Sequence, residues 1–157
     1  MQIESIYSPS DINNMQIADN AHLRGGDRVE DIRNFAKLAN YKRIGIANCV
    51  SLQHETNLLK TSLSSDFEVF TVDCKCGRIP NSEIIGFDAK GISCNPAGQA
   101  HFLAENNTEL NMVMGLCVGH DMIFSAKSKA PSTTLIVKDL KHKYNPMEIF
   151  RSEGQDR

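Results

Sequence analysis

From Arg43 onward the chain repeats one pattern: a short apolar run rich in β-branched residues, then a stretch whose apolar residues recur at helical spacing. "RIGIANC" (43–49) reads as a buried strand, and "SLQHETNLLKTSLSSD" after it sets Leu52, Leu58, Leu59 and Leu63 as a helix would. "FEVFTVDC" (67–74) alternates and reads as a second strand. After an irregular stretch from Gly77 to Ser93, "NPAGQAHFLAENN" opens with a good cap, Asn95, and a first-turn proline, Pro96. "LNMVMGLCV" (110–118) reads as a third strand, "GHDMIFSAKS" as a short helix and "TTLIVKD" (133–139) as a fourth strand. Strands alternating with helices predict an α/β fold, a mainly parallel sheet of about four strands flanked by helices in a Rossmann-like three-layer arrangement.

Two helices precede this core. "SPSDINNMQIADNAHL" (8–23) has Ser8 or Ser10 near its start and Ile12, Met15, Ala18, Ala21 and Leu23 roughly along one face. Gly25 and Gly26 break it, and "DRVEDIRNFAKLAN" from Asp27 spaces Val29, Ile32, Phe35, Ala36 and Ala39 as a second helix, with Lys37 and Asn40 suited to its end. Residues 147–157 read as a short helix and a frayed end. With 157 residues, the expectation is a single α/β domain with helices over 1–40, a cysteine-bearing core over 41–146 and a tail.

Composition narrows the function classes. The chain is 41% hydrophobic and 23% charged with a formal charge of −2, which gives no pull toward nucleic acid or an anionic membrane. No apolar run approaches the roughly 18 residues of a membrane span, and the first 20 residues are polar where a secretory signal would be basic and then apolar. A cytoplasmic protein is expected. Nothing in the sequence sets its oligomeric state.

Five cysteines, an odd number, argue against a disulfide framework and leave metal ligands, reactive thiols or buried filler. Their places in the pattern are informative, because open α/β sheets bind ligands at the carboxyl ends of their strands. Cys49 ends the first predicted strand, Cys74 and Cys76 the second and Cys117 the third, while Cys94 immediately precedes a helix. Residues two apart on a strand face one side, so Cys74 and Cys76 could share a centre, whereas a disulfide between them would be strained. "GLCVGHD" adds His120 three residues after Cys117. The predicted metal set is Cys49, Cys74, Cys76, Cys94, Cys117 and His120, suited to zinc first and to an iron–sulfur cluster as the alternative.

The rival reading is thiol chemistry. Cys49 and Cys94 each precede a helix start, where the dipole favours the thiolate, so either could be the nucleophile of a redox or sulfur-transfer enzyme, with a second cysteine resolving the product. Lys138 and Asp139, at the end of the fourth predicted strand, could bind a small anionic or polar substrate beside the thiols. A third reading makes the protein an interaction domain whose cysteines fill the core. The first strand-to-helix turn, "IANCVSLQHE", lacks the glycines of a dinucleotide site, and "CVSLQHE" lacks the arginine of a phosphatase loop.

The ordered segments "RIGIANCVSL", "VDCKCG", "CNPAGQA", "NMVMGLCVGHD" and "APSTTLIVKD" followed by "YNP" resemble an uncharacterised conserved family of bacteria and archaea described as metal-binding proteins, a domain of unknown function. The resemblance runs from about Arg43 to Pro146, and "CNPAGQA" and "GLCVGHD" are its most specific parts. It implies that Cys49, Cys74, Cys94 and Cys117 are the family's cysteines, with His120 and Asp121 in one shared segment and Lys138 and Asp139 in another. Family members often carry a further cysteine-rich segment near the N-terminus, whereas residues 1–40 here contain no cysteine.

Overall fold

The computed structural model describes residues 6–153, so the last residues of the expected tail lie outside it. The backbone forms two compact units, 1–42 and 43–157.

The first unit holds α1 (Pro9–Ala21) and α2 (Arg28–Leu38). Both begin with a capping box, in which the cap side chain accepts from the helix and the third helical residue answers back to the cap backbone. Ser8 and Asp11 do this for α1, with Pro9 in the first turn, and Asp27 and Glu30 do it for α2. Asn40, at φ 59°, closes α2 in the left-handed conformation that asparagine tolerates. The expected apolar face of α1 is only partly used. Ala21 is buried, while Ile12 and Met15 stay exposed.

The second unit contains β1 (Arg43–Asn48), α3 (Gln53–Leu63), β2 (Glu68–Asp73), α4 (Asn81–Ile84), α5 (Pro96–Glu105), β3 (Leu110–Met114), α6 (His120–Lys127), β4 (Ser132–Ile136) and α7 (Glu148–Glu153). The four strands are all parallel, in the order β2-β1-β3-β4. The two central strands are buried almost end to end, as parallel strands covered on both faces must be.

Each face has its own filling. Ala47, Cys49, Val72, Cys74 and Val113 pack with Ala100 and Leu103 of α5 and Phe124 of α6. On the opposite face Thr56 of α3 reaches the Met114 sulfur at 3.7 Å. Gly45 permits a close approach: a Cβ there would collide with Asn111 and lie 2.8 Å from Leu103. Asn111 is itself buried in β3 and satisfied by Thr108 and Ser128, each at 2.8 Å.

The chain leaves β1 toward β2 on one side and returns past β1 to build β3 and β4 on the other. The loops that follow β1 and β3 therefore leave in opposite directions, and the crevice between such loops is where ligands of open α/β sheets bind.

Three strand ends differ from the sequence expectation. β2 stops at Asp73, so Cys74 and Cys76 sit in a turn instead of on one strand face, the turn being fixed by Asp73 accepting from the Lys75 N–H at 2.6 Å. β3 stops at Met114 because Gly115 takes φ 67°, so Cys117 lies in the following loop. β4 ends at Ile136, before Lys138 and Asp139. The irregular stretch from Gly77 to Ser93 contains the single turn α4 and a bridge between Pro80 and Ile92.

Candidate functional site

Cys49 is the last rung of the β1–β3 ladder, its N–H donating to the Met114 carbonyl at 2.9 Å. The chain then turns directly into the helical run that leads to α3. This leaves the thiol buried at the edge of the sheet, with the first turn of helix beside it.

Two groups donate to that sulfur. Lys138 Nζ stands 3.0 Å from Cys49 Sγ, and Ser51 Oγ donates to the same sulfur at 3.1 Å. The Tyr144 hydroxyl in turn lies 2.9 Å from Ser51 Oγ. Burial alone would raise the pKa of the thiol, but hydrogen bonds from the Ser51 side chain and N–H, with the Lys138 ammonium, outweigh it and bring Cys49 down from 9.0 to about 7. Lys138 shifts the other way, chiefly through its bond to Cys49.

A cavity of about 180 Å³ opens beside this pair, lined by Cys49, Cys74 and Cys94, by Cys117 with His120, and by Lys138. That is below the roughly 300 Å³ at which a pocket encloses a drug-sized ligand. Cys74 is the deepest neighbour. Burial pushes its pKa up to about 12; the Val50 N–H bonds its sulfur and opposes this, while Cys94, which hydrogen-bonds it, and the charge of Cys49 push the same way as burial.

"CNPAGQ" (94–99) builds the floor of the site. The Asn95 N–H donates to the Cys74 carbonyl at 2.8 Å, which lays the Cys94 segment alongside the Cys74 turn. The Asn95 side chain accepts from the Gly98 N–H at 2.8 Å and donates to the Cys76 carbonyl at 3.2 Å, so one residue caps α5 and clamps the turn. Gly98 is required there, because a Cβ would run into the Asn95 side chain. Gln99 is fully buried and donates to the carbonyls of Asn48 and Val72, at 3.2 and 2.9 Å, tying together the ends of β1 and β2.

The sequence-predicted residues divide accordingly. Cys49, Cys74, Cys94, Cys117, His120 and Lys138 all line the cavity. Cys76 does not: its sulfur faces the Asn95 carbonyl at 3.7 Å. Asp139 is held by His142, whose Nδ1 is 2.8 Å away, and it braces the loop that carries Tyr144. That hydrogen bond, with a second from the His142 N–H, holds the Asp139 carboxyl below its ordinary range. Sequence reasoning missed Ser51 and Tyr144. Ser51 carried a local signal, two residues after the cysteine that ends a strand, whereas Tyr144 is 93 residues from its partner.

The predicted donors do not fit a metal ion as they stand. Among the described residues, no three His, Cys, Asp or Glu side chains are arranged to hold one.

Residues 6–135 match the family described as "Protein of unknown function (DUF1847)". The chain belongs to this family. It is also 48% identical over 116 residues to an uncharacterized protein of Methanocaldococcus jannaschii, a match covering 71% of this chain and 60% of that relative. The chain thus spans less than two thirds of the length of the curated relative it matches. No solved structure matches it. Among the described residues no helix is long and apolar enough to cross a membrane.

Proposed function

We propose that the protein is a thiol-dependent enzyme in redox or sulfur transfer, with Cys49 as nucleophile toward a sulfur atom of a small substrate. The observation that carries this reading is the Lys138 ammonium 3.0 Å from the Cys49 sulfur at the mouth of a small cavity. A thiol whose pKa lies near ambient pH is both ionised and still nucleophilic, the best compromise for attack on sulfur. Ser51 and Lys138 aim hydrogen-bond donors at the sulfur, and further thiols lie within the same cavity to take over the product. Such chemistry suits a reducing compartment, and we assign the protein to the cytoplasm on that ground.

Timed alkylation with iodoacetamide near pH 7, followed by peptide mapping, tests the reading. Cys49 is expected to be modified roughly tenfold or more faster than the other four thiols. Equal rates for all five would remove Cys49 as the nucleophile. Elemental analysis of the same untagged, anaerobic preparation decides the other sequence expectation: about one equivalent of zinc, or a visible sulfur-to-iron band, lost in a Cys74→Ser variant, would move the assignment to metal binding.

A further inference from the structure

Cys74 and Cys94 line the same cavity as Cys49. The Asn95 N–H bonds the Cys74 carbonyl, so the two cysteines sit on adjacent strands of loop and send both side chains into the cavity that Cys49 also lines. Cys74 is buried and Cys94 half-buried, so the series Cys49, Cys74, Cys94 runs from the nucleophile through the interior and back toward solvent. Cys76, next in sequence, is turned away to the Asn95 carbonyl.

We infer that Cys74 and Cys94 are a resolving dithiol that takes the oxidising equivalents from Cys49 and stores them as a Cys74–Cys94 disulfide, making the substrate class a small-molecule disulfide. This rests on the reading of Cys49 as the nucleophile. In the first step the Cys49 thiolate attacks one sulfur of R–S–S–R′, forming Cys49–S–S–R and releasing R′S⁻, which leaves as the thiol with one proton. The Cys74 sulfur, giving up its proton, then attacks Cys49 Sγ and expels RS⁻, leaving a Cys49–Cys74 disulfide. Cys94 attacks Cys74 Sγ, its proton passing out to solvent, and Cys49 departs as the thiolate held by Lys138 and Ser51. The sum is one substrate disulfide reduced to two thiols while two protein thiols become one disulfide. An external dithiol reductant, attacking at half-buried Cys94, returns the protein to its starting state.

The arrangement explains why three thiols are needed where two would reduce a disulfide. Ending on Cys74–Cys94 frees the nucleophile for its cation, while ending on Cys49–Cys74 would leave Lys138 without its thiolate.

The test is to treat the reduced full chain with bis(2-hydroxyethyl) disulfide, quench with acid at intervals and map the peptides. The expected product is a protein without adduct, containing a Cys74–Cys94 disulfide and a free Cys49. In Cys94→Ala the reaction should stop at a Cys49–Cys74 disulfide, and in Cys74→Ala the hydroxyethylthio adduct should accumulate on Cys49. A wild-type protein that stops with the adduct on Cys49, or that pairs Cys49 with Cys117, overturns the relay and leaves the nucleophile assignment standing. A Cys49→Ser variant that is oxidised as fast as the wild type would instead remove the nucleophile assignment itself. The wild-type map decides the matter even if a buried cysteine variant does not fold.

Discussion

A buried cysteine beside a strand end ionises readily or keeps its proton according to what its sulfur touches. Cys49 and Cys74 are both buried, yet one is brought to about 7 and the other pushed up to about 12. The difference is a lysine and a serine on one sulfur and two neighbouring thiols on the other. The thiolate form reacts, so alkylation of Cys49 is expected to rise with pH through a midpoint near 7 and then level off. Lys138→Met removes both a hydrogen bond and a positive charge, and should move that midpoint up toward the ordinary thiol value of 9.0. Ser51→Ala should move it in the same direction. An unchanged midpoint in Lys138→Met would mean that the ammonium does not hold the thiolate.

The cysteines were legible because each falls at a strand or helix terminus, and termini are punctuated by Asn, Pro and Gly. Cys76 was misplaced for a local reason: Asp73 captures the Lys75 N–H and starts the turn one residue earlier than the alternation suggested. Lys138 was legible as a neighbour of the site but not as the partner of one sulfur, since that pairing spans 89 residues and depends on the strand order.

Among the elements, α5 does most to hold the site together. Its cap, Asn95, bonds the turn that carries Cys74 and Cys76, and its Gln99 bonds the ends of two strands. Asn95→Ala should therefore cost more than the roughly 1 kcal/mol of a lost cap, because the Cys76 carbonyl loses its donor as well. Urea unfolding measures this, and a loss well below 1 kcal/mol would mean that the clamp contributes little. Gly45→Ala should destabilise by about 1–3 kcal/mol, since the new methyl meets both Asn111 and Leu103. The helices and strands themselves were foreseeable from periodicity, as was their parallel order from the alternation. The apolar stripe read along α1 was a weaker guide, because Ile12 and Met15 match a helical spacing without being buried.

At the scale of the whole molecule, the cavity links its chemistry to stability. Cys49 has a folded pKa of about 7 against an ordinary 9.0, so its ionisation stabilises the fold fully above pH 9 and loses that contribution as the pH falls through 7. Denaturation of the wild type is expected to show a gain in stability between pH 7 and 9 that Cys49→Ala lacks; parallel profiles would show that the thiolate is not preferentially held by the fold. All the residues of the cavity lie within one compact unit, 43–157. A chain beginning at Arg43 is therefore expected to keep fast Cys49 alkylation and a cooperative melt, and loss of both would show that the N-terminal unit is required.

The pairing of Cys49 with Lys138 also sets the moment at which the protein becomes reactive. Cys49 emerges early from the ribosome, whereas Lys138 follows β4, the last strand of the sheet and an edge strand. Until that strand docks, a nascent chain exposes five ordinary thiols, largely protonated at neutral pH. A chain in which β4 has not docked therefore lacks the ammonium that stands against the Cys49 sulfur in the folded protein.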